Sequence, residues 1–148
     1  MKILITAFKP FGILGKLFNR NESEEIALKL LSDYQADVLI LPVDKSCINH
    51  LQQKIRKFKP NLIFGLGQAD SLRIESSAFQ KKLLHSHLAE KIKQKFKTNE
   101  NIGKYYCNKV YAEEIRLCKN SVFVHIPLFC EYKKIKQIFD FTIKNVKL

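Results

Sequence analysis

Four short apolar runs, each followed by a segment of different period, constrain this chain more than any other feature. Residues 2–8, 37–43, 61–67 and 121–127 are rich in Ile, Leu, Val and Phe and show no polar alternation, the signature of strands covered on both faces. After the first, Asn21 or Ser23 can cap a helix with Ile26, Ala27, Leu30 and Leu31 on one face. After the second, Cys47, Leu51, Ile55 and Phe58 recur at helical spacing until Pro60 stops them. Strand and helix in alternation predict a mainly parallel sheet with helices on both sides. At 148 residues, with no linker, the chain reads as one domain over 1–148.

The other segments fit that frame. Residues 9–20 form a loop broken by Pro10, Gly12 and Gly15, and residues 72–79 read as a shorter strand at or beside the sheet. From Gln80 to Asn101 the chain is basic and polar, with one amphipathic helix expected over 85–96. A helix begins near Cys107 and runs to about Leu117 with Val110, Tyr111 and Ile115 inward; a closing helix over 132–146 carries Ile135, Ile138, Phe139 and Val146.

Charge and cysteine content narrow the setting. The net charge is +12, yet Arg occurs only at 20, 56, 73 and 116, and Arg is the residue suited to bidentate phosphate and base contacts. A solvated basic surface is therefore expected, with no specific nucleic-acid partner. No run approaches the roughly 20 apolar residues that span a bilayer, so no membrane partner is expected. The apolar run before Pro10 is too short for a secretory signal, and the four cysteines include no Cys-x-x-Cys pair. These features predict a reducing, cytoplasmic setting without disulfides, structural zinc or cofactor. A homo-oligomer stays open.

In open α/β sheets, functional groups gather beyond the carboxyl ends of strands. Phe8 to Phe11, Val43, Gly65 to Gln68, and His125 with Pro127 occupy such ends in this reading, and the start of the Cys107 helix faces the same crevice. A thiol at a helix N-terminus has its thiolate favoured by unpaired N–H groups, which makes Cys107 a candidate nucleophile. His125 ends an apolar run and Glu75 lies within one, so a base and an orienting carboxylate are available. Cys47, Cys118 and Cys130 read as small apolar residues. His50, His85 and His87 lack ligand-spaced partners.

Ile5-Thr6-Ala7-Phe8-Lys9-Pro10-Phe11-Gly12, Leu41-Pro42-Val43, Gly65-Leu66-Gly67-Gln68-Ala69, Ile74-Glu75, Tyr105-Tyr106-Cys107-Asn108 and Val124-His125-Ile126-Pro127 together resemble the type I pyroglutamyl peptidases, or pyrrolidone-carboxylate peptidases. The resemblance implies a three-layer α/β/α sandwich of the phosphorylase/hydrolase-like kind and a cytoplasmic, cofactor-free cysteine peptidase that removes N-terminal pyroglutamate from peptides. It implies Cys107 as nucleophile, His125 as base and Glu75 as the orienting carboxylate. It further implies that Phe8 and Phe11 sandwich the lactam ring, that Tyr105 and Tyr106 extend the wall, and that Gln68 offers its backbone carbonyl to the ring N–H. By the same resemblance Asn21, with Asn19 as the alternative, looks like the family's pocket Asn.

The chain departs from the family between Glu75 and Cys107, where residues 79–102 are short and hold no Arg. Two alternatives follow: a catalytically impaired or inactive relative acting as a binding protein, or an amidohydrolase with another N-terminal or small-amide substrate.

Overall fold

The computed structural model describes residues 1–12, 21–99, 103 and 105–147. β1 (Ile3–Phe8), α1 (Glu22–Asp33), β2 (Asp37–Leu41), α2 (Cys47–Phe58) and β3 (Leu62–Gln68) realise the predicted alternation. Asn21 is the N-cap of α1, its side-chain oxygen accepting from Ser23 N. α2 ends at Lys59 in the left-handed conformation (φ 51°) immediately before Pro60, because proline disfavours helical backbone in the residue before it.

Four strands are parallel in the order β2-β1-β3, then β7 (Ser121–Ile126). β4 (Arg73–Glu75) closes the far edge, antiparallel to β7. Side chains alternate across this sheet, and the helices divide accordingly. Ile3, Ile5 and Ala7 of β1, with Phe64 and Leu66 of β3 and Val122 and Val124 of β7, pack against α1, α3 (His87–Phe96) and α5 (Tyr132–Asn145). Leu4, Phe8, Ile63 and Phe123 pack on the opposite face against α2 and α4 (Tyr106–Leu117). The result is the expected three-layer α/β/α sandwich. No helix among the described residues is long and apolar enough to cross a membrane.

Three local expectations are corrected. Residues 72–79 are two strands, not one: β4 joins the main sheet, and after Ser76 the chain enters β5 (Ser77–Gln80). β5 pairs only with β6 (Lys82–His85), an antiparallel strand in the basic stretch that precedes the helix expected from His85. The helix starts later because Ser86 caps it, accepting from Ala89 N, while Ser86 Oγ donates to Ser121 O at 2.6 Å and Ser86 N donates to Ser76 O at 2.8 Å. Leu31 is 40% exposed and lies off the buried stripe of α1. The predicted loop is described only as far as Gly12, so Gly15 and the alternative Asn19 lie outside the described residues.

Candidate active site

Strand register brings distant residues into two rows on the face covered by α4. Gly67 is the β7 neighbour of His125, and His125 in turn opposes Arg73 of β4. One pleat back, Thr6 of β1, Gly65, Phe123 and Glu75 follow one another across four strands.

The two glycines are required by close approach. A Cβ on Gly67 would stand 3.1 Å from Cys107 Sγ and 3.0 Å from the Phe123 ring; on Gly65 it would meet Phe123 at 2.4 Å and Glu114 Oε2 at 2.9 Å. Their missing side chains let α4 settle onto β3, so the Cys107 sulfur lies over Gly67, whose neighbouring strand, about 4.8 Å away, carries His125.

Cys107 is the second residue of α4, after Tyr105 at the N-cap without a side-chain cap bond. The first four N–H groups of a helix have no intrahelical acceptor, and the Cys107 N–H is among them. The expectation of a favoured thiolate is nevertheless overturned: burial pushes the Cys107 thiol up to about 12, its own backbone N–H opposes this only in part, and the carboxyl of Glu114 adds to the rise. Desolvation outweighs the helix end, and the resting residue is a neutral thiol.

His125 Nδ1 lies 2.9 Å from Glu75 Oε1, and both are largely withdrawn from water. A carboxylate only accepts, so Nδ1 carries the proton and Nε2 is the nitrogen left for proton transfer. No hydrogen bond joins Cys107 to His125 among the described residues. Such contacts often close only when substrate is bound.

A cavity of about 590 Å³ contains Cys107, His125 and Glu75 in its wall, together with Phe8, Phe11, Gln68, Tyr105 and Tyr106. Eight of the nine residues singled out in the sequence thus meet at one concavity. Phe8 is buried at its base, whereas Phe11 (41% exposed) and Tyr105 (81% exposed) stand at the opening. Gln68 is bound through its side chain, whose Oε1 accepts from Glu22 N at 3.0 Å and so ties the start of α1 to the end of β3. Asn21 is not among the lining residues. It is buried, and its Nδ2 donates to Lys9 O at 3.1 Å, fastening the segment that leads to Phe11.

Two further residues escape a reading of the sequence. Arg73 is the only lysine or arginine among the lining residues described, and the two-residue spacing Arg73-Ile74-Glu75 is the signal that it shares a strand face with Glu75. Glu114 follows Cys107 by seven residues, on the same helical stripe as Val110 and Tyr111. It is fully buried and accepts from Thr6 Oγ1 at 2.6 Å, and burial raises its carboxyl to about 8. The described residues contain no cluster of three or more metal-ligating side chains.

No family model matches the sequence, and no curated protein does. Solved structures do match. Pyrrolidone carboxyl peptidase from Thermococcus litoralis aligns with 98% of this chain and 92% of its own at TM-score 0.76 and 19% identity. A mutant pyrrolidone carboxyl peptidase from Pyrococcus furiosus aligns with 99% of this chain and 98% of its own at TM-score 0.75 and 20% identity. At this identity the likeness is one of fold: the chain has the α/β architecture of these peptidases.

Proposed function

We propose that this protein is a divergent cysteine peptidase of the pyroglutamyl peptidase kind, with Cys107, His125 and Glu75 as its catalytic set. The observation that carries the reading is the convergence on one cavity of a thiol over Gly67, a histidine on the adjoining strand and a buried carboxylate 2.9 Å from that histidine's Nδ1. The fold shared with the two pyrrolidone carboxyl peptidases supports it.

Because the thiol rests neutral, a preformed thiolate is not the attacking species in the free enzyme. His125 Nε2 takes the Cys107 proton as sulfur attacks the amide carbonyl, and the charge developing on that oxygen is met by the Cys107 N–H at the helix start. The imidazolium, held by Glu75, then gives its proton to the amine as the C–N bond breaks. Water, deprotonated by the same histidine, opens the thioester and returns the proton to sulfur. Phe8 and Phe11 provide flat apolar surfaces at the base and opening of the cavity for the lactam ring. Its volume lies in the range of drug-sized sites, enough for the ring together with the residue that follows it.

Incubation with a pyroglutamyl-arylamide decides the matter: the wild type releases arylamine and Cys107→Ala does not. Absence of release by the wild type, or equal release by the variant, refutes the proposal. Release from other N-acyl amides in place of the pyroglutamyl substrate would select the amidohydrolase alternative.

A further inference from the structure

Arg73 stands in the cavity wall with an arrangement that its fold alone does not require. Its guanidinium is anchored at one end, Nη1 donating to Asp70 Oδ1 at 2.5 Å and to Ser71 Oγ at 3.0 Å. At the other end Nε is buried and makes no hydrogen bond among the described residues, yet it faces Glu75 Oε1 at 3.6 Å. That oxygen is the one 2.9 Å from His125 Nδ1. The register explains the grouping: Arg73 opposes His125 across the β4–β7 ladder, and Glu75 lies two residues further on the same face. Arg73 is 16% exposed in its side chain and Glu75 5%, so the pair is screened far less than a surface pair.

A buried donor without an acceptor is normally removed by selection of another residue or by a shift of the chain. Here the orphaned Nε is kept beside a carboxylate whose hydrogen bond to histidine sets the tautomer. We infer that Arg73 is a positioning residue for the catalytic set, holding the Glu75 carboxylate turned toward His125 so that Nε2 stays free to accept the Cys107 proton. Asp70 and Ser71 hold the guanidinium through Nη1, which leaves Nε directed at Glu75. The inference rests on the catalytic reading given above but is tested independently of the substrate.

The test uses the full chain and measures iodoacetamide modification of Cys107 near neutral pH, where loss of the thiol proton needs base assistance. Arg73→Gln and Glu75→Gln each slow modification roughly tenfold, the lower end for an outer partner of a functional histidine, and the double variant is no slower than Glu75→Gln alone. Arg73→Lys, which keeps the charge, recovers modification to within about threefold of wild type. With the pyroglutamyl-arylamide, Arg73→Gln lowers kcat and leaves KM within about twofold.

Multiplying effects in the double variant, or an Arg73→Lys no faster than Arg73→Gln, overturns the role assigned to Arg73 while leaving the catalytic set intact. Wild-type modification rates in Glu75→Gln and His125→Gln overturn the catalytic set and this inference together. An enzyme inert toward the pyroglutamyl substrate but showing the expected modification pattern removes only the substrate assignment.

Discussion

Glu114→Gln offers a test of the packing beneath the site that requires no knowledge of substrate. Glu114 is fully buried beside Gly65, accepts one hydrogen bond from Thr6, and titrates at about 8 against an ordinary 4.5. At about 1.4 kcal/mol per pH unit of difference, ionising it in the fold costs on the order of 5 kcal/mol. The sign follows from the protons bound. Below about pH 4.5 both native and unfolded chains hold the proton, and the native state bears no penalty. Between about 4.5 and 8 only the unfolded chain releases it, so stability falls as pH rises; above 8 the loss levels off.

Glutamine keeps the acceptor for Thr6 but places an amide N–H where Oε2 has no hydrogen-bond partner, costing about 1–2 kcal/mol at every pH. Urea unfolding should therefore find Glu114→Gln less stable than wild type by about 1–2 kcal/mol near pH 4 and more stable by about 3 kcal/mol near pH 9. A difference that stays constant across this range would refute the assignment of a buried neutral carboxyl.

The remaining predictions concern the surroundings of Cys107. Gly65→Ala places a Cβ 2.4 Å from the Phe123 ring, which must shift, and should lower stability by about 3 kcal/mol in thermal unfolding. Gly67→Ala, which meets Phe123 at 3.0 Å and Cys107 Sγ at 3.1 Å, should lower stability less and activity more. The rate of Cys107 alkylation should still be rising past pH 10, since its thiol titrates at about 12; a plateau below pH 9 would contradict the desolvated environment. Asn108 both accepts from Phe79 N at 3.0 Å and donates to Phe79 O at 2.9 Å. Asn108→Ala should loosen the β5–β6 hairpin, visible as faster amide exchange there and a stability loss of about 2 kcal/mol for the two bonds.

Local pattern carried most of the layered fold. β1, β3 and β7 are legible as unbroken apolar runs because both faces of a central parallel strand are covered, and α2 is legible because Cys47, Leu51 and Ile55 repeat at the helical period and face inward. The break at Ser76 was not legible: residues 72–79 read as one strand, and only the pairing of β4 with β7 and of β5 with β6 shows that the chain passes there into a second sheet. β6 was hidden for a related reason. Its partner, β5, lies outside the main sheet, so Lys82, Leu83 and His85 are exposed, and Leu84 is only half-buried.

The candidate site divides in the same way. Residue type and order singled out Cys107, His125 and Glu75, because nucleophile, base and carboxylate chemistry belongs to those side chains wherever the chain carries them. Tertiary structure alone decided that Gly67 lies under the sulfur, that Arg73 shares Glu75 with His125, and that Glu114 meets Thr6 across 108 residues of sequence. It also reversed the expected state of the thiol. A helix start can be read from a few neighbouring residues, whereas desolvation depends on every segment packed around the atom. Here they include β3, which lies under the sulfur at Gly67, 40 residues before Cys107 in the sequence.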